Sequence, residues 1–329
     1  MEVYVIQNII NLIKAKGFFG ASCAIINKLN CIFHHRILKQ DLIKRKIHDY
    51  NMFLPIDKVR GKGIGSALAI YGIREEDQFF ILKNNIKKDI RILDIGGNIG
   101  YYALLLASLA GDKCKIFAVE PSGDNIELLK KNVELNGKSD IIDVYHMGMG
   151  NQEGTQQLFL SQYSNLHGFF DETKMLREEN HTENVEMKSI DSFTKDKLPI
   201  DFIRMDVEGF EVKVFQGMHE FVENSTNEIG ILFEVHRSRY DNDEFNMRKE
   251  LSYLLDQGFI PEALSAKPLL DEKPWGKDVF SKRGYTPDRV IKEIGFERGY
   301  YTNLKNEDVL DYVCEIGCVR ALFLNRPAR

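Results

Sequence analysis

The chain has 329 residues, of which 43% are hydrophobic and 28% charged, with eight prolines and 25 glycines. That balance belongs to an ordinary globular protein and excludes a mostly disordered, collagenous or low-complexity one. Its formal charge of −5 hides an asymmetry: residues 1–60 hold ten Lys/Arg against four Asp/Glu, a local net of +6, and the other 269 residues carry −11. The five cysteines (Cys23, Cys31, Cys114, Cys314, Cys318) are an odd number with no Cys-x-x-Cys pair, which argues for a reducing compartment and against a structural zinc.

In chain order, residues 3–50 read as helical, with Val5, Ile9, Leu12 and Ile13, then Ile25, Ile26, Leu29, Ile32 and Phe33 at helical spacing, followed by the basic stretch Lys39 to Lys46. Residues 1–60 are therefore expected to form a basic amphipathic helical extension. Two roles stand open for it: peripheral contact with an anionic membrane or a lipid-linked substrate, and a cap packed on the main domain or on a dimer partner. Lys14, Lys16 and Lys28 interrupt the apolar stretch well short of the roughly 18 to 20 residues a membrane span needs. Met1-Glu2-Val3 is not a basic leader either, so a cytoplasmic location, peripheral to the membrane at most, is the expectation.

From Arg91 the pattern changes to short apolar runs alternating with helical periods, the signature of βα units around a mainly parallel sheet. Strands are expected at Arg91–Ile95, Lys115–Val119, Ile141–Met147, Phe202–Met205, Ile229–Val235, Phe259–Leu264 and Cys318–Leu324. Helices fall at Tyr101–Ala110, Asn125–Asn136, Phe210–Gln216 and Glu244–Gln257. The fold class is then α/β, a Rossmann-like seven-stranded sheet with helices on both faces, occupying residues 61–329. Two insertions interrupt it, at about 151–190 and 265–311; the second carries Trp275, Tyr285, Tyr300 and Tyr301.

The segment Asp94-Ile95-Gly96-Gly97-Asn98-Ile99-Gly100-Tyr101-Tyr102 is a buried strand running into a glycine-rich turn and a helix. Its glycine spacing is not that of the dinucleotide fingerprint. Asp94, two residues before the first glycine, would repel a pyrophosphate and suits a cationic amino group, such as that of the methionine part of S-adenosylmethionine. About 20 residues past the turn, the second strand ends in Ala118-Val119-Glu120-Pro121, where Glu120 can accept from both ribose hydroxyls.

With these motifs, and with Gly72-Ile73-Arg74-Glu75, Ser189-Ile190-Asp191-Ser192-Phe193, Arg204-Met205-Asp206-Val207-Glu208-Gly209-Phe210-Glu211 and Leu232-Phe233-Glu234-Val235-His236, the chain resembles the FkbM family of S-adenosylmethionine-dependent methyltransferases over residues 63–236. The resemblance implies the class I methyltransferase sheet and O-methylation of a sugar, glycan or similar polyhydroxyl acceptor. Two departures show: Gly97 stands where the family usually has alanine, and Met147-Gly148-Met149-Gly150 replaces a usually polar stretch.

In an open α/β sheet the ligand lies over the C-terminal strand ends. Cofactor contacts are therefore expected at Asp94, Gly96, Gly97, Asn98, Gly100, Tyr101, Glu120, Asp206 and Glu75. His236 is the first candidate for the base that takes the acceptor proton, since an unperturbed imidazole is largely neutral at pH 7; Asp206 is the second, with Glu234 beside them. A competing reading groups Asp206, Glu208, Glu234 and His236 as ligands of Mg²⁺ or a similar ion. The alternative to an enzyme is a non-catalytic nucleoside-binding module that keeps the fold. The acidic main domain argues against nucleic acid as a partner, and the sequence leaves the oligomeric state open.

Overall fold

The computed structural model describes residues 2–56, 63–161, 167–169, 182–197, 199–240, 243–267, 277–293 and 296–329. Trp275 lies outside them. Helix α1 (Glu2–Arg36) is broken at Gly17, whose φ of 69° and ψ of 175° are not helical, and it ends at Arg36, a cation that complements its dipole. The basic stretch that follows is not helical. Leu42-Ile43-Lys44-Arg45-Lys46-Ile47 alternates with period two, burying Ile43 and Ile47 and exposing Leu42, Lys44 and Lys46, so it forms strand β1 (Leu42–Ile47). A two-residue turn at His48 and Asp49 returns it as β2 (Tyr50–Pro55). Asn132 and Asn136 then accept from the β2 backbone at Phe53 and Asn51, at 2.7 and 2.8 Å. The hairpin shares a core with the main sheet through Met52 and Leu54, both fully buried. Helices α2 (Ile64–Tyr71) and α3 (Glu76–Asn85) lead into that sheet.

The strands are β3 (Arg91–Ile95), β4 (Lys115–Glu120), β5 (Ile142–His146), β6 (Gly148–Met149), β7 (Gly154–Phe159), β8 (Thr182–Lys188), β9 (Phe202–Met205), β10 (Ile229–Glu234), β11 (Ile260–Ala266), β12 (Arg289–Glu293), β13 (Phe296–Thr302) and β14 (Val319–Arg326). The main sheet runs β12-β13-β11-β14-β10-β9-β3-β4-β5, parallel from β10 to β5, with β14 antiparallel between β10 and β11. All seven expected strands are in it. The count rises to nine because the second insertion folds into the β12–β13 hairpin and pairs with β11. The first insertion forms a separate small sheet, β6-β8-β7.

Alternate side chains of each parallel strand feed opposite cores. Ile92 joins α4 (Tyr101–Ala110) and α5 (Gly123–Leu135) on one face. Leu93 and Ile95 join α6 (Ile190–Phe193), α7 (Glu211–Gln216), α8 (His219–Asn224) and α9 (Met247–Asp256) on the other. Phe280, Tyr285 and Tyr301 of the second insertion go into this packing, and Tyr300 packs on the opposite core. Tyr301 stacks on Phe280 with centroids 4.0 Å apart, and Tyr285 packs edge-on to Tyr312. None of the described aromatics of that insertion lines the cleft described below.

Candidate active site

The β3–α4 turn owes its shape to glycine. Gly96 has φ +81°, and a Cβ there would stand 1.9 Å from the backbone oxygen of Asp206. No other residue fits a left-handed backbone pressed against the neighbouring strand end. Gly96 and Gly97 both donate to the Val119 carbonyl (2.9 and 3.0 Å), which ties the turn to β4. Gly100 (φ 91°) opens α4. Beside the turn is a cleft of about 880 Å³, open mouth included. Gly96, Gly97, Asn98, Tyr101, Glu120, Asp206 and Glu75 all line it, as do Arg74, Glu208 and Glu234.

Two of the expected cofactor residues lie behind that lining. Gly100 acts through the backbone of the turn. Asp94 is fully buried and meets Arg204, whose Nη1 lies 3.4 Å from its Oδ1; its Oδ2 has no hydrogen-bond partner among the described residues. A buried carboxylate needs a counter-charge, and Arg204 supplies it. Burial still pushes Asp94 up to about 6 against the guanidinium. Arg204 also donates to the Gly96 carbonyl (3.1 Å) and to Asp206 Oδ2 (3.1 Å), and its guanidinium stacks 3.7 Å above the Tyr102 ring. One arginine thus welds the end of β9 to the glycine turn.

Glu120 accepts from the Asn98 N–H (2.8 Å), the Ser122 N–H (3.0 Å) and Asn125 Nδ2 (3.1 Å). Burial nevertheless raises it to about 7, so further hydroxyl donors to its oxygens would be welcome there. Glu75, in a left-handed conformation at the start of α3, takes Arg74, Arg320 and the Tyr102 hydroxyl (2.8, 3.1 and 2.6 Å). Although burial opposes it, the two arginines hold Glu75 well below the usual carboxylate range.

Across the cleft, His236 follows β10 and lies behind the lining residues Glu208 and Glu234. Its Nδ1 bonds Glu211 Oε1 at 2.8 Å, and its Nε2 faces Glu234 at 3.4 Å and Glu208 at 3.5 Å. Glu211 is fully buried and held in place by the Gly209 N–H (3.2 Å) and the Tyr240 hydroxyl (3.0 Å). Burial works to lower the imidazole pKa, but the charge and hydrogen bond of Glu211, with Glu208 beyond, raise it to about 9. His236 is thus mostly imidazolium at pH 7, contrary to the neutral base expected from the sequence; the reason is the carboxylates that surround it. Burial and the Asp206 charge push Glu208 upward.

Asp206, Glu234 and His236 bring one donor atom each to within 4.8 Å of the others, and Glu208 stands outside this trio. As placed, Glu234 is paired with Arg320 and Asp206 Oδ2 with Arg204. The two carboxylates therefore serve guanidinium groups, and a divalent ion would have to displace Arg320. Asp206 Oδ1 is buried and has no hydrogen-bond partner among the described residues.

Three participants were not read as functional from the sequence. Arg204 and Glu211 stood inside quoted motifs without a role, and Arg320 carried no signal. Asp191 accepts from the Phe221 N–H at 2.7 Å in α8, while Ser189 caps its own short helix.

The methyltransferase FkbM domain family matches residues 94–261. The chain belongs to this family. Membership makes it a methyltransferase. Methyltransferase sdnD of Sordaria araneosa is 24% identical over 193 residues, covering 46% of this chain and 73% of that protein. A protein-L-isoaspartate O-methyltransferase of Methanococcoides burtonii is 35% identical over 63 residues, 19% of this chain and 31% of that protein. Among solved structures, the methyltransferase FkbM of Methylobacillus flagellatus KT is similar at 18% identity and a TM-score of 0.32, over 44% of this chain and 33% of that one. The chain thus spans about a third of the length of the last two relatives. Among the described residues no helix is long and apolar enough to cross a membrane.

The residues of the turn suit S-adenosylmethionine, the cofactor expected from the sequence. The close backbone approach at Gly96, the buried and unpartnered oxygen of Asp206 and the strand-end carboxylate of Glu120 give a small cradle with acceptors for an amino group and for ribose hydroxyls.

Proposed function

We propose that the protein transfers a methyl group to a hydroxyl of a sugar, glycan or similar polyhydroxyl acceptor. The observation that carries this reading is the wall of carboxylates beside the glycine turn: Glu75, Asp206, Glu208 and Glu234 all line the cleft. Carboxyl groups hydrogen-bond hydroxyl groups whether ionised or protonated, so a neutral polyhydroxyl compound suits this wall.

S-adenosylmethionine supplies the electrophilic methyl group. Gly96, Gly97, Asn98, Tyr101 and Glu120 would hold its nucleoside and methionine parts, and Asp206 Oδ1 its amino group. The remaining task is to orient the acceptor hydroxyl and take its proton. His236 in its neutral form does this through Nε2, because Glu211 fixes Nδ1 as the protonated nitrogen and stabilises the imidazolium that results. Glu234 and Glu208 position the acceptor beside it.

Calorimetric titration of the full chain with S-adenosylmethionine and S-adenosylhomocysteine, with NAD as control, tests the cofactor side. Binding of both adenosyl ligands, absent for NAD and lost in Glu120→Ala, is expected. A panel of polyhydroxyl acceptors with labelled cofactor, with and without chelator, tests the chemistry. His236→Gln should lower kcat by about 10²–10⁴-fold with cofactor binding intact. Intact binding with no transfer to any acceptor would favour the non-catalytic module, and loss of activity to chelator alone would restore the metal reading.

A further inference from the structure

Helix α1 is apolar on two opposite faces. One face packs on the domain: Ala21, Ala24 and Cys31 are buried, Ala21 and Ala24 against Ile70, and Asn27 donates to the Ile70 carbonyl at 3.1 Å. On the other face Phe18, Phe19, Ile25, Ile26, Leu29 and Phe33 are exposed, Phe18 at 77% and Phe19 at 84%. At 100° per residue these six fall in one arc roughly 120° wide, turned away from the buried side. Ile37, Leu38 and Leu42 extend the bare surface past the helix end. Single exposed apolar residues are unremarkable, but a contiguous stripe of this length marks an interaction surface.

The charges around the stripe say what covers it. Arg36 falls within the arc, Lys28 lies about 60° outside it, and Lys39, Lys44 and Lys46 follow, all five exposed. The exposed acids nearby are Asp41, already paired with His35, and Asp49, which accepts from Ser108. A second copy of this chain on the stripe would set these cations against their own duplicates. An anionic lipid surface takes both features at once, with the aromatic and aliphatic side chains entering the acyl boundary and the basic groups meeting the headgroups. We propose that the outer face of α1, with the start of the β1–β2 hairpin, docks the protein on an anionic bilayer. The proposal is independent of the acceptor. It also places the cleft near the lipid surface, since α2, on which α1 packs, begins at Ile64 in the cleft wall.

The test is co-sedimentation of the full chain with vesicles of phosphatidylcholine containing phosphatidylglycerol, and with vesicles of phosphatidylcholine alone. Binding to the anionic vesicles is expected, at least tenfold stronger than to the neutral ones and weakened by salt. A Phe18→Glu, Phe19→Glu, Ile26→Glu variant should lose it, and so should Lys28→Glu, Arg36→Glu, Lys39→Glu. Both should keep cofactor binding, which shows that the domain is folded. No binding at low salt, equal binding to both vesicle types, or binding unchanged in the Phe18, Phe19, Ile26 variant would each overturn the proposal. So would a dimer of the unmodified chain in light scattering that the same variant dissociates, because the stripe would then face a second copy.

Discussion

The two walls of the cleft are built on different principles. The wall at the ends of β3 and β4 is mostly backbone: a glycine turn bonded to Val119, with one carboxylate, Glu120, satisfied by donors from its immediate neighbourhood. The wall at the ends of β9, β10 and β14 is mostly side chain, a lattice in which Arg204 and Arg320 each bind two carboxylates while His236 leans on Glu211. The first wall tolerates almost no change of shape and the second is sensitive to change of charge. A cofactor common to many acceptors calls for a rigid recess, and a proton-accepting centre calls for tuned charges.

The largest effect is expected where the two walls touch. In Gly96→Ala the new methyl would sit 1.9 Å from the Asp206 carbonyl on a backbone at φ +81°. Strand β9 must then move, and a cost of about 3 kcal/mol or more is expected together with loss of cofactor binding. Thermal unfolding and calorimetric titration measure the two. Full cofactor affinity in this variant would show that the turn is not the rigid recess described above.

A smaller but more specific effect belongs to the second wall. Glu211→Gln keeps the size of the side chain and removes the charge that holds the His236 pKa near 9. If His236 is the proton acceptor, the ascending limb of kcat/KM against pH in the unmodified enzyme lies near 9 and moves toward the ordinary value of about 6.5 in the variant. Stability follows the same titration with the opposite sense. The folded pKa of His236 exceeds its unfolded value, so the pairing stabilises the fold fully below about pH 6.5, and the contribution is lost as pH rises through about 9. A variant with reduced activity and an unmoved limb would leave His236 a structural residue.

The difference between the walls also explains what could be read from the sequence. The glycine turn and Glu120 were legible because their constraint is local: a strand, a left-handed turn, and an acidic strand end at a regular distance. The lattice was not, because its partners lie 110 residues apart for Arg204 and Asp94, 156 for Gln78 and Glu234, and 245 for Arg320 and Glu75. No pattern within a window links such pairs. For the same reason His236 was expected to be neutral, since the carboxylate that charges it enters from α7. The seven strands are visible as apolar runs, while the β12–β13 hairpin is hidden in an insertion with no alternating strand pattern of its own. The helical reading of residues 39–46 fails where Ile43, Arg45 and Ile47 alternate in the manner of a strand.

Gly97→Ala gives the finest contrast, one position from Gly96. Its φ is not in the left-handed region, so an alanine meets no backbone strain. The added methyl would approach Leu129 Cδ1 at 2.9 Å, with the Ala118 Cβ next at 3.7 Å. The first contact is with the far end of a flexible side chain rather than with backbone, although Leu129 is fully buried and has little room to turn. The crowding costs about 1 kcal/mol at the low end of overpacking. Reduced freedom of the unfolded chain returns about 0.4 to 1 kcal/mol. The two nearly cancel, and the family resemblance, with alanine usual at this position, points the same way. The expected outcome is a melting temperature within a few degrees of the unmodified protein, since 1 kcal/mol moves a chain of this size by about 2–4 °C, with cofactor affinity unchanged. A loss as large as that of Gly96→Ala would mean that the rigidity of the turn resides in its packing on α5 and not in its contact with the end of β9.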